Sequence, residues 1–181
     1  YEIKALKVSG YQLSDSASIA TVSGLYVGKT ITVPGEDLAR AIRQIWKQNL
    51  FVDVSIDVTR KLGDEIDLEI VVKEYPRLSG HGYKGIKKTQ HDELNTALGR
   101  YLVKGRVTNE AMRLNAINTI RGYYEEKGFP DAKVEIVEIE NPAYGKGYVS
   151  WVFNINKGKR LRIKNIVFEG NTQIESARLR R

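Results

Sequence analysis

Ile3-Lys4-Ala5-Leu6-Lys7-Val8-Ser9-Gly10 is written again as Ile163-Lys164-Asn165-Ile166-Val167-Phe168-Glu169-Gly170, at a constant offset of 160. The offset persists at Ser16-Ala17 against Ser176-Ala177. A short apolar-polar strand that runs into a glycine, followed by a helix start, is therefore used more than once. Self-similarity at a fixed spacing marks a repeat architecture, in which one supersecondary unit is copied along the chain.

The residues between the echoes fill in the unit. After the first strand, Ser14 or Asp15 is placed to cap a short helix bearing Ile19 and Val22, with Gly24 as its stop. Pro34-Gly35 opens a second helix whose Leu38, Ala41, Ile42, Ile45 and Trp46 fall on one face at helical period. Two strands follow. Val52, Val54, Ile56 and Val58 alternate with Asp53, Ser55 and Asp57, and Ile66, Leu68, Ile70 and Val72 alternate with polar neighbours. Alternation at period two puts one face in a core and the other in water, and Lys61-Leu62-Gly63-Asp64 suits a hairpin turn.

The same order returns. A glycine-rich strand over Leu78–Tyr83 ends at Gly85, and Thr89 is expected to cap a helix bearing Leu94, Ala97 and Leu98 that stops at Gly99. Gly105-Arg106 mirrors Gly28-Lys29 ahead of a longer helix with Met112, Ala116, Ile120 and Tyr124 near one face. Phe129-Pro130-Asp131-Ala132-Lys133-Val134 then matches Phe51-Val52-Asp53-Val54-Ser55-Ile56, and Val149, Trp151, Phe153 and Ile155 share one face of a closing strand. The expected division is 1–75, 76–157 and the opening of a third unit at 158–181. Tyr75, Pro76, Arg77, Gly158 and Lys159 lie at the junctions as restricted hinges. The expected fold is α+β, with two helices packed on a three-stranded sheet in each unit. Trp46 and Trp151 are expected at the two core centres, with Trp46→Ala costing about 3–5 kcal/mol.

Composition agrees with folded units: 41% of residues are hydrophobic and 28% charged. No run reaches the roughly 20 apolar residues that a spanning helix needs. The start at Tyr1 and the stop in mid-pattern at Arg181 suggest a length cut from a longer, processed protein. Cysteine is absent, which excludes disulfides and thiol chemistry. The net charge of +7 is unevenly spread: residues 1–75 hold 9 basic against 11 acidic side chains, 76–157 hold 13 against 9, and 158–181 hold 7 against 2. Such a gradient fits a nucleic acid, an anionic lipid or an acidic partner, and equally a solvated surface balanced elsewhere in the protein.

No catalytic constellation emerges, so an enzyme is not expected, and neither a metal nor another cofactor is implied. His81 and His91 stand ten apart, without the shared helix face or tight turn of a metal pair. Asp53 and Asp57 share a wet strand face with no histidine beside them. Gly82-Tyr83-Lys84-Gly85 spells the GxxG of KH domains but closes a strand instead of joining two helices. What the architecture does supply is open sheet edges, each a row of backbone groups able to accept an extended partner strand.

Strand–helix–helix–strand–strand, repeated, resembles the POTRA module. The residues that carry the likeness are the strand endings Val8-Ser9-Gly10 and Phe168-Glu169-Gly170-Asn171, and the helix-to-strand segments Asn49-Leu50-Phe51-Val52-Asp53-Val54 and Lys127-Gly128-Phe129-Pro130-Asp131-Ala132. The module transition Asn156-Lys157-Gly158-Lys159-Arg160-Leu161-Arg162-Ile163 adds to it. Ser23-Gly24-Leu25, Pro34-Gly35 and Ile45-Trp46-Lys47-Gln48-Asn49-Leu50-Phe51 look like the N-terminal part of BamA-type outer-membrane assembly factors. The resemblance implies a periplasmic position beside the bacterial outer membrane and a membrane-embedded β-barrel beyond this chain. It implies unfolded outer-membrane barrel proteins and accessory assembly lipoproteins as partners, and no nucleic acid. In that family the second strand of a module is the edge most associated with strand addition. Here that means Val52, Asp53, Val54, Ser55, Ile56 and Asp57, and Lys133, Val134, Glu135, Ile136 and Val137. The glycine-rich strand Ser79–Tyr83 departs from the usual pattern. A two-partner secretion transporter, a cell-division protein with POTRA modules and a nucleic-acid-binding repeat protein stay open as alternatives.

Overall fold

The computed structural model describes residues 1–162 and residue 167. The second half of the Ile3/Ile163 echo, and with it most of the expected third unit, lies outside the described residues. Two sheets are built. The first comprises β1 (Glu2–Ser9), β2 (Phe51–Leu62) and β3 (Glu65–Glu74) in the order β1-β3-β2; α1 (Ser16–Ser23) and α2 (Glu36–Trp46) connect β1 to β2. The second comprises β4 (Arg77–Lys84), β5 (Lys133–Glu140) and β6 (Tyr148–Asn156) in the order β4-β6-β5, with α3 (His91–Leu98) and α4 (Glu110–Glu126) between β4 and β5. In each sheet the last strand is central, parallel to the first and antiparallel to the second.

The local signals explain the elements. Asp15 caps α1, accepting the Ser18 N–H at 3.0 Å, and Gly24 ends it in the left-handed region at φ 68°. Asn109 does the same for α4 through the Met112 N–H at 3.0 Å. Thr89 does not cap α3. It sits inside a 3-10 turn, Lys88–Gln90, that runs directly into the helix, so no extended residue stands where a capping side chain would act. The uneven alternation of Ile3, Leu6 and Val8 comes from a register shift between Ile3 and Ala5, which lets both ends of β1 face the core.

Each unit has its own core. Ile3, Ile19, Ala41, Ile45, Ile66 and Ile70 are among the residues closed off in the first, and Leu78, Leu94, Ala116, Ile120, Tyr124, Trp151 and Phe153 in the second. Burying each large apolar side chain stabilises the fold by roughly 1.5–3 kcal/mol. Trp151 is fully buried, as its alternation predicts. Trp46 is not: it is 41% exposed. The buried stripe of α2 runs through Ala41 and Ile45, and Trp46 stands about 100° further round at the last residue of the helix.

Gly10 and Gly85 show why the strand echo ends on glycine. They occupy equivalent places after β1 and β4, at φ 84° and 85°. A Cβ at Gly10 would lie 2.0 Å from the Val72 carbonyl oxygen, and one at Gly85 would lie 2.1 Å from that of Ile155. No side chain fits where the chain leaves the sheet this close to its central strand.

Candidate functional site

A three-stranded sheet has two outer edges, and here the chain treats them differently. The outer side of β1 is covered over its first residues by the segment after α1: Ile3 N–H donates to the Lys29 carbonyl at 3.0 Å, Gly28 N–H to Ile3 at 2.7 Å and Ile31 N–H to Tyr1 at 2.9 Å. The second unit repeats the device. Leu78 N–H donates to the Arg106 carbonyl at 2.9 Å, Gly105 N–H to Leu78 at 2.7 Å and Thr108 N–H to Pro76 at 2.9 Å. Gly28 and Gly105 take φ 90° and 82° to make the turns. The paired signals Gly28-Lys29 and Gly105-Arg106 were visible in the sequence, but irregular backbone has no periodicity from which an edge cover is read.

β2 and β5 stand at the opposite edges, and among the described residues no strand or loop pairs with their outer sides. Val52, Asp53, Val54, Ser55, Ile56 and Asp57 all lie on β2; Lys133, Val134, Glu135, Ile136 and Val137 all lie on β5. Val54 is buried, and Ile56, Val134 and Ile136 pack against their cores from partly buried positions. Val52 was expected to share the core face with Val54 but is exposed, because the register shifts between Phe51 and Asp53 and Phe51 takes the buried place. Asp53, Ser55 and Asp57 point to the outer face beside Lys73, Val71 and Glu69 of β3. Hydrogen bonds from Ser9 and from Lys7, whose ammonium is 3.0 Å away, hold the Glu69 carboxyl below the usual carboxylate range.

The far half of β5 is tied inward. Glu138 Oε2 accepts from Trp151 Nε1 and Arg113 Nη2, each at 3.0 Å, so the indole of the core tryptophan is satisfied by a carboxylate from the edge strand. His81 and His91 both pack against Tyr83. His81 Nε2 lies 2.9 Å from Asn95 Oδ1, which also accepts the Tyr83 hydroxyl at 2.8 Å, and the His91 ring packs 5.0 Å from that of Tyr83. Among the described residues no group of three or more His, Cys, Asp or Glu side chains is arranged to hold a metal ion.

The junction is two residues long. Tyr75 N–H donates to the Leu50 carbonyl at 2.9 Å, the Pro76 carbonyl accepts from Thr108, and Arg77 N–H donates to Gly147 at 2.9 Å. Just before it, the Glu74 carboxylate accepts the backbone N–H groups of Gln12, Leu13 and Ser14 at 3.0, 2.7 and 2.8 Å. Burial opposes ionisation of Glu74, but the hydrogen bonds from Ser14, Leu13 and Gln12 outweigh it and keep the carboxyl below its usual range. Glu74, Tyr75 and Pro76 line a cleft of about 570 Å³ together with Leu13, Glu140 and Tyr148. At the other junction, Gly158 N–H donates to Asn156 Oδ1 at 3.1 Å, and Lys159 is exposed.

Comparison with known proteins agrees with this geometry. Residues 77–158 match the family POTRA, described as a surface antigen variable number repeat. The outer membrane protein assembly factor BamA of Nitratidesulfovibrio vulgaris is 27% identical over 142 residues, which span 78% of this chain and 17% of that protein. Among solved structures, the N-terminal domain of Omp85 from Thermosynechococcus elongatus matches with a TM-score of 0.55 at 20% identity, over 84% of this chain and 62% of the other. The POTRA3-5 segment of Haemophilus influenzae BamA matches with a TM-score of 0.47 at 18% identity, over 99% of this chain and 75% of the other. The family match thus covers the second sheet, the first sheet repeats its strand order, and the fold of the chain is similar to that of the Omp85 N-terminal domain.

Proposed function

We propose that this chain is the periplasmic part of an outer-membrane β-barrel assembly factor, divided into modules at 1–75 and 76–157, with a third opening at 158–181. It docks unfolded barrel proteins and accessory lipoproteins by adding their extended segments to β2 and β5. It works without catalytic chemistry; Tyr75, Pro76, Arg77, Gly158 and Lys159 act as short hinges between modules.

The observation that supports the reading best is the unequal treatment of the edges. In both sheets the chain covers the start of the first strand with its own backbone, and among the described residues no strand or loop pairs with the outer side of the second. An exposed edge is a hazard that folded proteins ordinarily blunt, so two open edges at equivalent places suit a binding role. Main-chain pairing reads little sequence, which suits clients that share only an extended conformation.

Proline tests this, because it removes an N–H donor and is poorly tolerated within a paired strand. Val54 N–H turns away from β3 to Asp53 Oδ1 at 3.0 Å, so Ile56 and Val58 present their N–H groups on the same open side, and the exposed Val58 is the site for it. Val58→Pro is expected to leave the circular dichroism of the chain near that of the parent and to weaken binding of an unfolded barrel-protein segment at the first module. If the variant stays folded and binds as tightly as before, strand addition at β2 is wrong.

A further inference from the structure

The two open edges differ in the side chains that they present, and the difference names the strand each would take. On the outer face of the first sheet, charges line up in rows across the strands. One row runs Lys7 on β1, Glu69 on β3 and Asp57 on β2; another runs Lys73 on β3 and Asp53 on β2. The first row alternates in sign between Lys7 and Glu69, which are ion-paired at 3.0 Å, and then breaks, with Glu69 and Asp57 directly opposite. Like charges facing each other across a ladder are destabilising. The second row ends with a carboxylate at the edge after a lysine.

Among the described residues neither Asp53 nor Asp57 forms an ion pair. Arg60, the nearest cation along β2, is 3.7 Å from Asp67 within the sheet. Both rows therefore stop on a negative charge at the open strand, where the Asp53 carboxylate also accepts the Val54 N–H at 3.0 Å. Asp53 and Asp57 are four residues apart, about 13 Å along the strand.

The second sheet shows the opposite character. Outward on β5, Lys133 and Glu135 at its start give way to Val137 and Ile139, 43% and 49% exposed. In the same rows lie Val152 and Ser150 of β6 and Gly82 and Gly80 of β4. Neither glycine has another atom within 4 Å of its Cβ position, so this side of the face is a low floor beside apolar side chains.

We infer that β2 is a cation-reading edge: it takes extended polypeptide segments bearing Lys or Arg four residues apart on the solvent-facing side, opposite Asp53 and Asp57, whereas β5 takes segments with apolar residues there. The inference rests on strand addition as the docking mode and names its substrate class. A strand added to β2 with cations at those places completes the alternation that the first row breaks. One with carboxylates there extends the like-charge row outward.

The test uses the 181-residue chain and three nine-residue probes with alternating Thr and Val. They carry Lys, Glu or Ile at positions three and seven. Binding is followed by backbone amide NMR at low salt. The Lys probe is expected to shift the amides of Val52 to Asp57 and to bind about tenfold tighter there than the Glu probe, since two opposite-charge cross-strand pairs replace two like-charge ones. Added salt should erase that preference. The Ile probe is expected to shift Lys133 to Ile139 instead. Asp53→Lys with Asp57→Lys should transfer the β2 preference to the Glu probe. Equal binding of Lys and Glu probes at β2 overturns the inference and leaves strand addition standing. No shift at either edge with any probe overturns both.

Discussion

Trp46 and Trp151 have the same side chain and opposite consequences. Trp151 is closed off at the centre of the second core, with its indole N–H bound to Glu138 and the Arg113 guanidinium 5.3 Å over its ring. Trp46 ends α2 with 41% of its surface in water. Trp151→Ala is therefore expected to cost about 3–5 kcal/mol and to melt the second module first. Trp46→Ala is expected to stay within about 1 kcal/mol of the parent, as substitutions at exposed positions do. Thermal unfolding of the two variants checks both. Helical spacing alone grouped Trp46 with the stripe, because a residue one position beyond the stripe's centre line still satisfies an i, i+4 pattern from Leu38 and Ile42. Which flank faces the sheet depends on how α2 docks into a core that also holds Phe51 and Val54.

At the scale of elements, strongly periodic segments were legible and local irregularities were not. Met112, Ala116, Ile120 and Tyr124 on α4, and Val149, Trp151, Phe153 and Ile155 on β6, are buried where their spacing puts them. The bulge that exposes Val52 is not written in composition, since Phe51 and Val52 are equally suited to a core. Nor is the edge cover at Lys29, or the brace between Glu74 and the loop after β1, whose partners are about 60 residues apart. That brace carries a pH dependence. The folded Glu74 carboxyl is held below its ordinary value of 4.5, so the ionised form is the one the fold prefers. Its contribution is fully present above the unfolded value and fades as pH falls through the folded one. Glu74→Gln is expected to lower stability at pH 7 and to flatten the loss of stability below pH 4.5. Denaturant midpoints of parent and variant over that range measure it; identical acid limbs would show that the loop does not depend on the charge.

Over the whole molecule, two separate cores, a two-residue junction and, among the described residues, two outer edges without a strand partner stand at equivalent places in the two units. The general position of the candidate edges was readable from strand order, while their side-chain character needed the registers of both sheets. Most direct among the tests is amide hydrogen exchange of residues 1–181, alone and with an unfolded barrel-protein client in excess. Strand addition predicts that the client slows exchange along Val52 to Asp57 and Lys133 to Val137, and leaves Ile3 and Leu78, already bonded to the covering segments, unchanged. Slowed exchange confined to the helices, or spread evenly over all six strands, would contradict docking at the open edges.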